Sequence, residues 1–147
     1  MSIRKGEEKD LAAAFELVRE LAVYENGEDQ ITTNLEQMKI DGFGEKPVFE
    51  FFVAEQDSKI VGIAIYYFRY STWKGKRLYL EDLIVTESAR GTGSGKALLD
   101  QIVEEARATQ CTGIMWQVLD WNETAIKFYK RYGASLDGEW INCHLDL

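Results

Sequence analysis

The sequence predicts an α/β or α+β domain of three layers, in which a mixed, mostly antiparallel central sheet is flanked by helices. Three observations predict this fold. An amphipathic helical pattern comes first, two turns then join three strand-like runs, and helix, strand and helix patterns alternate afterwards. Strands joined by short turns pair antiparallel, and amphipathic helices need an apolar surface to cover. One sheet with helices packed on it satisfies both requirements.

Length and composition define the broad class of protein. A chain of 147 residues predicts one domain, residues 1–147, with a sizeable core. The net charge of −8 disfavours nucleic acid as a partner and suits small cations. No apolar run approaches the roughly 20 residues that span a membrane, and the N-terminus lacks the apolar core of a signal peptide. We therefore expect a cytoplasmic protein that binds no membrane.

The cysteine and histidine content argues against a metal site. Cys111 and Cys143 are the two cysteines, His144 is the one histidine, and there is no C-x-x-C pair. We expect the two cysteines to be ordinary core thiols, because neither lies in a motif.

Helical patterns open the chain. Apolar residues recur at helical spacing over residues 7–24, and Asn26 begins a stop signal. Thr33 with Glu36 fits a capping box, which predicts a second helix to about Ile40.

Three strands are predicted next, over residues 48–55, 59–70 and 76–86, with turns at 56–58 and 71–75. The second of these strands is apolar on both faces. It is therefore predicted to be a central strand that is covered on two sides.

The second half alternates helix and strand. A helix over residues 93–109 leads to a short apolar strand over 113–119. Asn122 is a good cap for a helix over 123–132, and a glycine then stops that helix. Residues 134–147 are predicted to be strand.

A glycine-rich segment, R-G-T-G-S-G-K over residues 90–96, opens the third helix. Amides at a helix start bind anions, and glycine lets a phosphate approach the backbone. A Walker A loop would need glycine at Arg90 and Ser or Thr at Ala97, and a dinucleotide fingerprint would need its third glycine at Lys96 or Leu98. Neither pattern fits, whereas R-x-x-G-x-G does. The segment therefore predicts a site for a phosphate-bearing ligand.

Two adjacent carboxylates, Glu81 and Asp82, lie in the strand before this segment. On a regular strand they would point to opposite faces, so a bulge is needed if both line one site. Either residue suits proton transfer, and either suits binding of a cation. The residue types leave these alternatives open.

These motifs, in this order, resemble the GNAT superfamily of acetyl-CoA-dependent N-acetyltransferases. R-x-x-G-x-G resembles its pyrophosphate-binding motif, and N-x-x-A-x-x-F-Y-x-x-x-G from Asn122 resembles the segment that holds the thiol end of the cofactor. Nearly the whole chain, including L-Y-L-E-D over residues 78–82, resembles the spermidine/spermine (diamine) acetyltransferase family. Residues 70–75 and 118–122 are similar to its thialysine branch. The polyamine branch usually has Asp-Pro where this chain has Ser71-Thr72, which disfavours spermine as the preferred substrate.

The resemblance implies a GNAT-like fold, a homodimer, and direct acetyl transfer from acetyl-CoA to a primary amine of a small cationic substrate. It implies that Tyr129 protonates the leaving thiolate, although Tyr129 also fits a core aromatic. Because the amine must lose a proton, Glu81, directly or through water, is the candidate base, and binding of the cation is its alternative role. The cofactor would contact Leu83, Ile84, Val85, Arg90, Gly91, Thr92, Gly93, Ser94, Gly95, Lys96, Asn122, Thr124, Ala125 and Tyr129. The acceptor would contact Tyr24, Glu25, Trp73, Asp82 and Gln117.

Two other functions stay open at this level. A protein or peptide N-acetyltransferase would share the motifs and have a more open cleft. A non-catalytic acyl-CoA-binding module would bind the cofactor without turnover, and the presence of both Glu81 and Tyr129 argues against it.

Overall fold

A five-stranded sheet is the framework of the larger of two units in this chain. A computed structural model describes residues 1–147, which divide into the units Met1–Trp116 and Gln117–Leu147. The single domain expected from length stays a prediction. No helix has the length and apolar character required to cross a bilayer. The elements are β1 (Ser2–Lys5), α1 (Leu11–Tyr24), α2 (Leu35–Phe43), β2 (Glu50–Gln56), β3 (Lys59–Ser71), β4 (Gly75–Val85), α3 (Ser94–Ala108), β5 (Ile114–Met115) and α4 (Glu123–Tyr132).

The sheet order is β1-β2-β3-β4-β5, so each strand pairs with its neighbour in sequence. The first three pairings are antiparallel and the β4–β5 pairing is parallel. The turn between β2 and β3 places Asp57 and Ser58 at φ values of 50° and 63°. Positive φ at both central residues is typical of a tight hairpin whose twist matches its strands. The mixed, mostly antiparallel sheet predicted from the sequence is confirmed.

Helices cover both faces of the sheet. On one face, α1 contributes Leu11, Ala14 and Leu17 to a core with Ile63 and Ile84. On the other face lies α3, whose Glu105 accepts a hydrogen bond from the hydroxyl of the fully buried Tyr66 at 3.1 Å. Because successive residues of β3 point to opposite faces, its two apolar faces serve the two helices. The three layers and the central position of β3 are confirmed.

The first two helices begin later than their sequence patterns predict. Before α1, residues Glu8–Asp10 form a 3₁₀ turn. Asp10 is buried there, because its carboxylate pairs with Arg4 and accepts the N–H of Glu7 at 2.8 Å. The cap of α2 is Asn34, whose side chain accepts from Gln37 N at 2.8 Å, and the predicted cap at Thr33 is wrong.

Two predicted strands in the second half differ from the structure. The apolar run over residues 113–119 forms a strand only at Ile114–Met115, and residues 134–147 form no strand. A strand requires a partner edge as well as an apolar pattern, and residues 116–119 and 134–147 pair with none. The predicted α4 is confirmed, with Asn122 as its cap and Gly133 at a φ of 103° after its end.

Candidate active site

The glycine-rich turn between β4 and α3 depends on two glycines for its shape. Gly91 and Gly93 have φ values of 78° and 91°, which other residues rarely adopt. A Cβ at either position would meet no atom within 4 Å, so conformation rather than crowding requires glycine. Ala97 N donates the first bond of α3, to Gly93 O at 3.0 Å. The amides before Ala97 therefore have no acceptor within the helix, which is the arrangement that binds anions.

Hydroxyl groups and one amide order this turn from inside. Ser94 is 1% exposed, and its Oγ lies 3.0 Å from Thr92 Oγ1. Gln56, at the end of β2, donates Nε2 to both oxygens at 3.1 Å. Thr92 Oγ1 also donates to Ala89 O at 2.6 Å. The sequence does not single out Gln56, because a polar residue at a strand end is typical of a hairpin.

Charged side chains also lie beside the turn. Lys96 donates from Nζ to Asp100 at 2.9 Å on the exposed surface of α3. Arg90 donates from Nε to Val85 O at 3.2 Å, and its guanidinium lies 5.6 Å from the centre of the Tyr24 ring. Arg90 is thus directed toward α1, and Lys96 is the more solvent-exposed of the two cations.

The edge of β4 that faces β5 is mostly unpaired by strands. β5 pairs with only two residues of β4, near the middle of that strand. Just after β4, Thr86 N donates to Val61 O on the β3 side at 2.8 Å. Because peptide groups alternate along a strand, those of Leu83 and Val85 face away from β3, and that of Ile84 faces β3. A ligand with amide groups can pair with such an edge as an added strand.

A β-bulge lies where the two carboxylates occur. Ile65 pairs with Asp82 and Tyr66 pairs with Leu80, so Glu81 is the extra residue. Glu81 is exposed and Asp82 is half-buried. The sequence required a bulge for the two carboxylates to serve one site, and the structure has one at that residue.

Two neighbouring carboxylates act on a third, Asp82, at this bulge. Burial and the negative charges of Glu81 and Glu25 together raise the pKa of Asp82 to about 7. Glu25 directly follows α1, and burial raises its pKa as well. A carboxyl group with a pKa near 7 can exchange a proton at neutral pH, and the cluster as a whole attracts cations.

Tyr67 on β3 contacts this carboxylate cluster. Its hydroxyl donates to Glu81 Oε1 at 3.0 Å, and its ring packs against Tyr79 at 5.3 Å. Burial and the nearby Glu81 charge raise the pKa of Tyr67 to about 12, so the hydroxyl is a hydrogen-bond donor at neutral pH. The sequence gives no signal for this contact, because an aromatic residue in a strand is typical of a core.

The predicted acceptor contacts fall into separate places. Tyr24 and Glu25 end α1, and Glu25 acts electrostatically on Asp82. Trp73 lies at the tip of the β3–β4 hairpin and is 88% exposed. Six residues of β3 separate the bulge from that tip, or about 20 Å at strand spacing. Within the larger unit, the structure therefore does not bring Trp73 to the carboxylates.

The other predicted contacts belong to the unit Gln117–Leu147. Asn122 caps α4 and accepts from Ala125 N at 3.3 Å, and Thr124 is exposed in the first turn. Tyr129 is half-buried, with its ring 5.5 Å from that of Phe128. In the same unit, Gln117 donates from Nε2 to an asparagine at 2.9 Å, and it lies outside the helix.

The site of the larger unit has the features of a group transferase. An anion-binding turn, an open strand edge and an acidic cluster follow one another along β4 and the start of α3. No group of three or more His, Cys, Asp and Glu side chains is arranged to hold a metal ion. The arrangement suits an anionic carrier at the turn and a cationic acceptor at the bulge.

Comparison with known proteins identifies the family. Residues 11–134 match the Acetyltransferase (GNAT) family, and the chain belongs to it. A bovine thialysine N-epsilon-acetyltransferase is 41% identical in an alignment of 140 residues that covers 90% of this chain and 82% of the relative. A human spermidine/spermine N(1)-acetyltransferase-like protein 1 is 37% identical over 139 residues, 90% of this chain and 20% of that protein. The protein is therefore an N-acetyltransferase, and the predicted resemblance is confirmed.

Solved structures confirm the fold. An integron cassette protein from V. cholerae superposes with a TM-score of 0.79 at 26% identity, over 99% of this chain and 91% of the other. An aminoglycoside acetyltransferase from a soil metagenome reaches the same TM-score of 0.79 at 20% identity, over 99% of this chain and 95% of the other. At that identity the second likeness concerns the fold alone.

Proposed function

We propose that this protein transfers an acetyl group from acetyl-CoA to a primary amine of a small cationic molecule. The observation that carries the proposal is the carboxylate cluster at the bulge of β4, between Glu25 and Glu81, in which Asp82 has a pKa of about 7. Such a cluster both attracts an ammonium group and can accept its proton. The family membership supports the acetyl group as the unit transferred.

The residues present fit a cofactor with a pyrophosphate and amide groups. Acetyl-CoA supplies an acetyl group activated as a thioester. The amides from Gly91 to Lys96, with Arg90 and the Thr92 and Ser94 positions, would hold the pyrophosphate, as the free N–H groups at the start of α3 support. The edge at Leu83 and Val85 would pair with the amides of the cofactor arm. By resemblance, the same arm would contact Ile84, Asn122, Thr124 and Ala125.

The amine must lose a proton before it can attack. At pH 7 roughly one primary amine in 2,500 is neutral, a free-energy gap of about 4.6 kcal/mol. The sequence assigned the base to Glu81 and the ammonium contact to Asp82. Our proposal exchanges these roles: Asp82 accepts the proton, since it is half-buried beside two other acids, and the exposed Glu81 and the partly buried Glu25 attract the cation.

The remaining roles follow the movement of charge. As the carbon–nitrogen bond forms and the carbon–sulfur bond breaks, the N–H of Leu83 would donate to the acetyl oxygen, where negative charge develops. The amine proton passes to Asp82. Tyr129 would give its hydroxyl proton to the sulfur, so that CoA leaves as a thiol, and the second proton released by the nitrogen would restore the Tyr129 hydroxyl. The role of Tyr129 rests on its match to the family motif.

The acceptor we propose first is a thialysine-like or lysine-like amino acid, followed by a short di- or polyamine. Names of the relatives support this order, since bovine, pig and mouse relatives at 39–41% identity are thialysine N-epsilon-acetyltransferases. An Arabidopsis L-ornithine N5-acetyltransferase, 33% identical over 78% of this chain and 51% of its own length, is a further amine-acetylating relative. A two-fold homodimer and a cytoplasmic location stay proposals, which light scattering and cell fractionation would test.

The test is CoA release from acetyl-CoA with thialysine, lysine, putrescine, spermidine, spermine and a lysine-containing peptide as acceptors. We expect turnover with thialysine above that with the polyamines, and a fall of roughly tenfold or more in Tyr129→Phe, because loss of an acid slows departure of the thiolate. Unchanged turnover in Tyr129→Phe would show that Tyr129 packs as a core aromatic and does not act as the acid. Turnover only with a lysine-containing peptide would replace the proposed small acceptor by a protein.

A further inference from the structure

Glu20 is a charged residue on α1 that holds the segment after β4, 66 residues further along the chain. Its carboxylate accepts from Thr86 Oγ1, at 2.9 Å to Oε2 and 3.2 Å to Oε1. Its Oε1 also accepts from the backbone N–H of Glu87 at 2.9 Å. One side chain thus binds both a side-chain donor and a backbone donor of the segment.

These bonds cap a short 3₁₀ turn from outside. The turn is Glu87–Ala89, and Thr86 is its N-cap residue, but the Thr86 side chain makes no capping bond to the turn. The first N–H groups of a helical turn need an external acceptor. Glu20 supplies that acceptor from another helix.

The same carboxylate lies close to Arg90. The Arg90 Nη2 atom is 4.0 Å from Glu20 Oε1, and its guanidinium lies over the Tyr24 ring, one helical turn after Glu20. Thr86, Glu87 and Arg90 together are the stretch that leads into the glycine-rich turn. Glu20 therefore contacts that stretch at both of its ends.

Charge alone does not explain a carboxylate at this place. A negative charge beside a phosphate site weakens binding of an anion. Glu20 is also not needed for the core of α1, because that core consists of apolar side chains, and the Glu20 side chain is 35% exposed. The hydrogen bonds to the stretch 86–90 remain as its specific contribution.

We propose that Glu20 is a positioning residue, which fixes residues 86–90 and so sets the amides of the glycine-rich turn for acetyl-CoA. This inference rests on the proposed function. An amide oxygen can accept the bonds from Thr86 and Glu87 as well as a carboxylate oxygen, whereas a methyl group cannot. A positioning role therefore predicts that Glu20→Gln retains its affinity for acetyl-CoA and that Glu20→Ala loses affinity.

The experiment measures acetyl-CoA binding by calorimetry and both KM values by CoA release. For Glu20→Ala we expect affinity for acetyl-CoA to fall roughly tenfold, since two hydrogen bonds to the stretch are lost, with kcat within about twofold of wild type. The affinity of Glu20→Gln for acetyl-CoA should stay within about threefold of the wild-type affinity. Glu16→Ala is the matched control, because Glu16 lies one turn earlier on α1 and is 77% exposed. Its affinity for acetyl-CoA should equal that of wild type.

Thr86→Val keeps the proposal open to test if Glu20→Ala does not fold. It removes only the hydroxyl donor to Glu20, and we expect affinity for acetyl-CoA to fall roughly threefold to fivefold with little change in thermal stability. Wild-type affinity in both Glu20→Ala and Thr86→Val would overturn the inference and leave the proposed function intact. Absence of acetyl-CoA binding by the wild type would overturn both. A fall in kcat without a change in affinity would also overturn the positioning role.

Discussion

The two ends of the active site in the larger unit use different chemical groups to bind their ligands. The glycine-rich turn offers backbone amides, and its shape depends on positive φ values at Gly91 and Gly93. The bulge of β4 offers side chains, in which the charges of Glu81 and Glu25 help to raise the pKa of Asp82. One end suits an anion and the other a cation, within a single strand and the helix start that follows it.

This difference predicts which substitutions impair binding at each end of the site. A backbone site is lost when the conformation changes, and replacing an exposed charge nearby has little effect. A carboxylate site changes when one charge is removed, even if the backbone is unchanged, and by an amount that depends on which carboxylate is replaced. Substitutions at the two ends should therefore separate cofactor affinity from amine turnover.

The largest expected effect is at the carboxylate end. Asp82→Asn should lower kcat/KM for the amine by about a hundredfold or more, because it removes the proposed proton acceptor, and acetyl-CoA affinity should not change. Steady-state kinetics with calorimetry would check both values. Glu81→Gln should act mainly on KM for the amine, and the exposed Asp29→Asn should have no effect. A larger loss of kcat in Glu81→Gln than in Asp82→Asn would restore Glu81 as the base.

A smaller effect, on affinity for acetyl-CoA and not on turnover of the amine, is expected at the glycine-rich turn. Gly93→Ala forces an alanine to a φ of 91°, which costs about 1–2 kcal/mol, so affinity for acetyl-CoA should fall roughly tenfold. Calorimetry and thermal melts would measure affinity and stability. Gly27→Ala is the matched control, because Gly27 has a φ of −123° and open space around its Cβ position. Equal behaviour of the two variants would show that the turn conformation does not matter.

The smallest effect tests the coupling within the carboxylate cluster. Glu25→Gln removes a negative charge that raises the pKa of Asp82, so ionisation of Asp82 becomes easier. The acidic limb of kcat/KM for the amine should move to lower pH, by less than about one pH unit. A pH–rate profile from pH 5 to 9 would show it. Glu104→Gln, an exposed change on α3, should leave the limb in place, and a limb that moves upward would contradict the coupling.

The parts of the site that could be predicted from sequence are local. R-x-x-G-x-G, the cap at Asn122 and the need for a bulge at Glu81 each depend on residues a few positions apart. The contact between Gln56 and Ser94, 38 residues apart, and the influence of Glu25 on Asp82 depend on the folded chain. Neither has a signature in spacing, because polar residues at the ends of strands and helices are common.

The mistaken strands have the same cause. The apolar run over residues 113–119 and the final residues 134–147 have suitable side chains, but β5 is only two residues long and the tail pairs with no strand. Side-chain pattern describes a segment by itself, whereas a strand is a relation between two segments. α4 was predicted to the residue because a helix satisfies its own backbone groups.

The half-burial of Asp82 also links folding to acidity. Its pKa is raised from 3.8 to about 7 in the folded protein, so between those values the native state holds a proton that the unfolded chain releases. By linkage, the contribution of this residue favours folding below about pH 4 and is lost as the pH rises through about 7. The ionised form of Asp82, which would accept the substrate proton, is thus less stable in the folded protein than the protonated form. The carboxylate form of Asp82 that can accept a proton at neutral pH therefore lowers the stability of the folded protein.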